Sequence, residues 1–267
     1  MLKADGGNIE YVETGAGPVL LFVPGSYSTP AAWRPVQRLL QPQWRMVTTS
    51  LCGYGHSADT RRIDDFGMHH EVRLLETICR ALDEPVHLVG HSFGGTVALA
   101  AALAGTVKVA SLACFEANPI GLLRHHADGA LYQDTLRMSL DFQAAMTAGE
   151  RDAPARIIDF WGGEGAFAAM PEPVKAYCRE TGDVNVLDWR TAFGYDITLS
   201  ACSSLQVPVL LVRGGLANPA MVAITDALQA SLPQVDAHVV EGAGHFLISS
   251  HPASCAGLLC GFLQTTG

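Results

Sequence analysis

The chain is predicted to fold as an α/β protein, a mostly parallel sheet with helices on both faces, carrying an inserted helical cap. Three observations predict it. Short apolar runs of strand length, at residues 19–23, 45–51, 86–89, 107–115 and 207–212, alternate with longer stretches of helical pattern. One of these runs meets Gly90-His91-Ser92-Phe93-Gly94, and an Ala-rich helical stretch follows at once. The alternation then breaks down between Asn118 and about Ser203 and resumes afterwards. Strands alternating with helices imply parallel pairing through right-handed crossovers.

Residues 8–14 alternate polar and apolar side chains and read as an antiparallel edge strand, closed by the turn Gly15-Ala16-Gly17-Pro18. Residues 19–23, Val-Leu-Leu-Phe-Val, form a fully buried strand ending at Pro24-Gly25-Ser26-Tyr27, and residues 33–40 a short helix. A second buried strand spans 45–51. Residues 69–82 place Val72, Leu75, Ile78, Cys79 and Leu82 on one helical face. After the central strand and helix comes a strand over 107–115. Within the irregular region, residues 122–148 read as helix, 149–173 as a Gly- and Pro-rich stretch, and 175–180 and 188–193 as short helices. A strand at 207–212, a helix at 219–232, a strand at 237–240 and a closing helix at 253–263 complete the chain. The expected organisation is a core of residues 1–118 and 204–267, with 119–203 as the cap.

Composition narrows the function. With 267 residues, 49% of them hydrophobic, 16% charged and a mean hydropathy of +0.21, the chain can bury a large core. A formal net charge of −9, with no basic cluster beyond Arg61-Arg62, makes nucleic acid and anionic membranes poor partners. The first seven residues lack an apolar signal-peptide core, and no apolar run reaches transmembrane length. Seven scattered cysteines without C-x-x-C spacing, an odd number, read as free thiols in a reducing cytoplasm, with Cys79, Cys114 and Cys260 in apolar, buried settings. No histidine pair has a convincing metal-ligand spacing, and no cofactor is expected.

The central motif carries the chemistry. A strand, a Gly-x-Ser-x-Gly turn and a helix place Ser92 on a sharp bend with its hydroxyl lifted clear of the sheet, and a Cβ at position 90 or 94 has no room in such a bend. The helix beginning at Phe93 directs its free N–H groups and positive dipole end at the same point. Together with Pro24-Gly25-Ser26 after an early strand, the mid-chain insertion and Gly242-Ala243-Gly244-His245-Phe246 after the last strand, the chain resembles the α/β-hydrolase fold superfamily. Within it, the likeness is to the cap-bearing branch of esterases, dehalogenases and related enzymes, and it covers nearly the whole chain. It implies an active site at the carboxyl ends of the strands, beneath the cap.

A serine hydroxyl needs a base, and His245, in a Gly-rich loop on the same face, is the best candidate. His87 reads as a core residue, the His91 ring is expected to point away from the hydroxyl, and His125 and His126 belong to the cap. The acid is less direct. The turn where the family commonly has an Asp reads Arg213-Gly214-Gly215-Leu216-Ala217-Asn218-Pro219 and lacks a carboxylate. Glu116 instead ends the strand after the central one. Haloalkane dehalogenases of this fold have their acid at the corresponding strand end, in a similar Phe-Glu setting. Glu116 is therefore the favoured acid, and Asn218 the runner-up. The order Ser92, Glu116, His245 agrees with that of the family.

Backbone N–H groups of Ser26 and Phe93 are the expected oxyanion hole. Serine at position 92 departs from the Asp nucleophile of dehalogenases and epoxide hydrolases, so the implied reaction is acyl transfer to serine followed by hydrolysis. The expected substrate is a small or medium apolar ester. A C–C bond, lactone or amide substrate, or a ligand-binding receptor with little turnover, uses the same residues. Tyr27, Phe93, Phe115, Trp161, Trp189 and Phe193 are the candidate apolar lining.

Overall fold

The computed structural model describes residues 1–4 and 6–266. Its sheet is built where the apolar runs lie. Strands β1 (Leu2–Ala4) and β2 (Gly7–Ile9) form a separate antiparallel hairpin. Strands β3 (Val12–Thr14), β4 (Val19–Val23), β5 (Arg45–Thr48), β6 (Val86–His91), β7 (Val109–Phe115), β8 (Val209–Gly214) and β9 (Val235–Val240) form one seven-stranded sheet. Its order is β3-β5-β4-β6-β7-β8-β9. Only the edge strand β3 runs antiparallel, against β5. The single strand expected over 8–14 is thus two, one in the hairpin and one on the sheet edge.

Strands β4 and β6 are buried along their whole length, which explains why they lack polar alternation: helices cover both faces. One layer contains helices His69–Leu82, Phe93–Ala104 and Pro219–Ser231, and the other contains the closing helix Pro252–Thr266 and the short helix Arg34–Gln37. The stretch expected as one helix at 33–40 is a 3-10 turn, Pro30–Trp33, leading into that four-residue helix. On helix His69–Leu82 the buried face includes Glu71 and Leu74, while Val72 is only half-buried. The carboxylate of Glu71 takes an inside position because Arg61 waits there, as described below.

Between β7 and β8 the chain is helical: a 3-10 turn at Ile120–His125, then Gly129–Thr147, Ala155–Gly162, Ala166–Ala169, Glu172–Glu180, Gly182–Gly194 and Leu199–Ser203. The Gly- and Pro-rich stretch at 149–173 therefore hides two helices. The first follows Pro154, a residue compatible with a helix start, and buries Ile157, Ile158 and Trp161. All seven cysteines are free; six are buried, whereas Cys260 is only half-buried. No described helix is long and apolar enough to cross a membrane.

Candidate active site

Parallel strands deliver their carboxyl ends to one edge of the sheet, and the sequence-selected residues meet there. Ser92 follows the last residue of β6, with φ 55° and ψ −127°, a conformation that L-residues rarely adopt. Its N–H donates to the Phe115 carbonyl at 3.0 Å, so the bend is held by the neighbouring strand. The glycines are required by contact. A Cβ at Gly94 would stand 2.1 Å from the Pro24 carbonyl oxygen, and one at Gly90 2.6 Å from the Gly94 oxygen. Helix Phe93–Ala104 begins at the next residue, so the Phe93 N–H lies at its free amino end.

Glu116 directly follows β7 and also has positive φ, 49°. Its N–H is tied to the Val212 carbonyl at 2.8 Å, and its Oε1 accepts the Gly214 N–H at 2.7 Å. Oε2 lies 2.7 Å from His245 Nδ1, and His245 Nε2 lies 2.9 Å from Ser92 Oγ. An ionised carboxylate can only accept, so His245 carries its proton on Nδ1 and presents the Nε2 lone pair to the serine. Burial pushes the Glu116 carboxyl up, but the hydrogen bonds it accepts from His245 and the Gly214 N–H outweigh it. The group is held below the usual carboxylate range. Such a chain of bonds can take the serine proton onto the imidazole and stabilise the resulting cation.

Asn218 has other work. Its side-chain oxygen accepts the Ala220 N–H at 2.8 Å, capping helix Pro219–Ser231, and its amide donates to the Phe160 carbonyl. The His91 ring does turn away from the serine: its Nε2–H donates to the His245 carbonyl at 2.8 Å, fixing the loop that holds the base. Burial, then the neighbouring His245, lower the His91 pKa to about 4, so this ring stays neutral. His87 is buried against Ser111, and His125 and His126 lie at the surface of the insertion.

The loop Pro24-Gly25-Ser26-Tyr27 faces Ser92: a Cβ on Gly25 would be 3.0 Å from Ser92 Cβ. The Ser26 N–H donates to no protein acceptor among the described residues. The Ser26 hydroxyl donates to Asp188 Oδ2 of helix Gly182–Gly194. The same carboxylate accepts from Tyr54 at 2.7 Å, from Asn185 at 3.3 Å and, through Oδ1, from Arg61 at 2.6 Å. Arg61 is itself buried and reaches Asp59 as well. Its Nη1 lies 3.2 Å from Glu71 Oε1, an ion-pair contact whose angle makes no hydrogen bond. Desolvation raises the Glu71 carboxyl to about 7 despite Arg61. None of Asp188, Asn185, Tyr54 or Arg61 stood out in the sequence as a site residue, because the contacts that join Asp188 to Ser26, Tyr54 and Arg61, and Asn185 to Tyr54, span 127 to 162 residues and follow no local motif.

Ser92 and His245 open onto a cavity of about 60 Å³. Tyr27, Phe93, Trp161 and Trp189 line it as expected, whereas Phe115 and Phe193 do not. Phe115 packs instead on Trp33 in the core, and Phe193 on Tyr132. Ile157, Ile158, Ala192 and Phe246 complete the apolar wall. Trp161 stacks parallel to Trp189 and stands 5.7 Å from the His245 ring. The buried Trp161 Nε1 and Tyr27 hydroxyl have no hydrogen-bond partner among the described residues. Beyond Tyr27, Ile158 and Phe246, a wider apolar cleft of about 900 Å³ lies between the insertion and residues 26–32.

A strained serine between strand and helix, bonded to a histidine that is bonded to a buried carboxylate, can be compared with known proteins. The model of the alpha/beta hydrolase family matches residues 20–258. The chain belongs to that family. Among its relatives, a pimeloyl-[acyl-carrier protein] methyl ester esterase of Aliivibrio salmonicida is 26% identical, over 94% of this chain and 94% of the relative. An uncharacterized protein of Mycobacterium tuberculosis is also 26% identical, over 94% of this chain and 77% of its own length. Two solved structures share the fold of this alpha/beta hydrolase. MenH from S. aureus superimposes with a TM-score of 0.78 at 17% identity, covering 96% of this chain and 98% of the other. A thermophilic esterase from Thermogutta terrifontis gives 0.78 at 20% identity, covering 98% and 96%.

Proposed function

We propose that this alpha/beta hydrolase is a cofactor-independent serine esterase that cleaves small or medium apolar carboxylic esters through an acyl-enzyme on Ser92. The observation that carries the reading is the unbroken relay from Ser92 Oγ through His245 to Glu116, at 2.9 and 2.7 Å, with Ser92 and His245 opening onto a mostly apolar cavity. In this reading Ser92 Oγ attacks the ester carbonyl as its proton passes to His245 Nε2. Glu116 holds the imidazolium in place and is not itself protonated. The N–H groups of Ser26 and Phe93 receive the developing oxyanion, a contribution of about 2.7–4 kcal/mol for a single donor. His245 returns the proton to the leaving alcohol. Water then attacks the acyl-enzyme, giving its proton to His245, and the acid leaves with Ser92 restored.

Size supports the substrate class. The inner cavity has room for a few water-sized groups and the outer cleft for much more, so one side of the ester is short and the other is a longer apolar arm. The unpartnered donors of Trp161 and Tyr27 offer hydrogen bonds to an acceptor on the substrate. Residues 119–203 act as a cap that brings Trp161 and Trp189 over the histidine. An esterase among the relatives and one among the structural neighbours agree with this reading. Seven free thiols and a formal net charge of −9 fit a soluble enzyme of the cytoplasm that meets a small molecule and neither nucleic acid nor membrane. A series of p-nitrophenyl esters from acetate to decanoate tests the proposal. Turnover that depends on Ser92, with kcat/KM varying along the series, is expected; no turnover of any ester in the series contradicts it.

A further inference from the structure

Far from Ser92 in function, three side chains with metal-ligating atoms converge where the loop after Arg61 enters helix His69–Leu82. The ligand atoms of Asp65, His69 and His70 all lie within 4.8 Å of one another. Asp65 Oδ1 is 3.1 Å from His70 Nε2 and 3.6 Å from His69 Nε2. Ligands held about 2.0–2.1 Å from a tetrahedral zinc ion stand about 3.3 Å apart, so these separations bracket those of an occupied site.

The buried histidine points to a ligand independently of the cluster. His70 is 8% exposed, yet its Nε2 makes no hydrogen bond, because the ring nitrogen does not aim along the line to Asp65. A shared ion would lie off that line, bonded to both. On the other side of the ring, His70 Nδ1 lies 2.9 Å from Thr60 Oγ1. With Nδ1–H donating to Thr60, the Nε2 lone pair is left for a cation, the outer-partner arrangement that metal-bound imidazoles use. Asp65 is held in place by reciprocal backbone bonds with Arg62, at 2.8 and 3.0 Å. His69 and Asp65 are each about half exposed, so an ion can enter from solvent and keep water as its remaining ligand.

We propose that Asp65, His69 and His70 form a binding site for a divalent first-row transition ion, with Zn²⁺ as its representative. Two imidazoles and one carboxylate suit such ions better than they suit Ca²⁺ or Mg²⁺, which favour all-oxygen sets. The adjacent His69-His70 pair follows none of the usual ligand spacings. Asp65 comes from a loop, which is why the sequence offered no metal site here.

The test uses the full chain, freed of metal by chelator and titrated with ZnCl₂ by calorimetry and by thermal melting. One ion per chain and a rise in Tm with Zn²⁺ are expected. An outer partner alone is worth about 10–100-fold in metal affinity, so Asp65→Asn and His69→Ala, both exposed positions, should each weaken binding by about a hundredfold and abolish the Tm rise. Binding that both variants retain unchanged would locate the ion elsewhere and overturn the proposal. Absence of binding up to millimolar Zn²⁺ would overturn it equally.

Discussion

The protein buries two carboxylates beside Ser92 and His245, and they are treated in opposite ways. Glu116 accepts from His245 and from the Gly214 N–H, and these contacts hold it below the usual carboxylate range even though it is 1% exposed. Asp188 accepts four hydrogen bonds, one of them from Arg61, yet desolvation still raises it above its ordinary value. The difference is where each chain of bonds ends. From Glu116 it runs to a histidine and then to a serine hydroxyl open to a cavity. From Asp188 it closes on donors that are already satisfied. An open chain can move a proton, whereas a closed one holds geometry, here the Ser26 loop against helix Gly182–Gly194. Burial of a charged group therefore identifies neither role; its partners do.

Substitutions can break this contrast, beginning at the open chain. Ser92→Ala removes the proposed nucleophile and should lower kcat by roughly 10⁶-fold while leaving Tm near that of the parent. Glu116→Gln should lower kcat by about 10⁴-fold, since an amide cannot hold the imidazolium or impose the same tautomer. It should also alter acid stability in a defined direction. The depressed Glu116 carboxyl contributes stability above the ordinary carboxylate range, and that contribution is lost as pH falls through its folded-state value. Melting curves should therefore show the gap between parent and variant closing with acid; a gap that widens would contradict the assigned shift.

The closed chain should respond more gently. Ser26→Ala keeps the backbone donor but frees its loop from Asp188. A fall of about tenfold in kcat with little change in KM is expected, because a displaced catalytic group can cost up to about a hundredfold. An unchanged kcat would mean that Asp188 holds only the fold. His91 supplies a pH signature of its own. Its folded pKa of about 4 lies below the unfolded value, so the unfolded chain binds a proton that the native chain refuses as pH falls from about 6.5 to 4. This should cost on the order of 3 kcal/mol of stability over that range, and His91→Gln should reduce the loss. The smallest effect is expected at Asn218→Ala, where losing a helix cap should cost about 1 kcal/mol and leave turnover within about twofold.

The contrast also explains what the sequence made legible. Ser92, Glu116 and His245 each sit within a residue or a short loop of a strand's carboxyl end, and a parallel sheet brings all such ends to one edge. Strand endings can be read locally, so their meeting can be inferred. The choice of Glu116 over Asn218 rested on the lack of a carboxylate in the turn after β8 and on the resemblance to dehalogenases, which have their acid at the end of the strand that Glu116 follows. Asp188 has no such marker. It lies inside a helix of the irregular insertion, and its partners Arg61, Tyr54 and Ser26 lie more than a hundred residues away. Within the insertion, Pro154 and the apolar triplet Ile157, Ile158 and Trp161 were the signals of a helix, masked by surrounding glycines and prolines. Leu75, Ile78, Cys79 and Leu82 are buried as expected, and Glu71 joins them inside in place of Val72 because an ion pair, and not hydrophobicity, fills that place.

Intact mass spectrometry of the protein after exposure to a fluorophosphonate, followed by peptide mapping, tests the central claim most directly. The relay from Glu116 through His245 predicts one adduct per chain, on Ser92, formed quickly by the parent and far more slowly by Glu116→Gln. An unlabelled Ser92, or labelling of Ser92 at the same rate in both proteins, would contradict it.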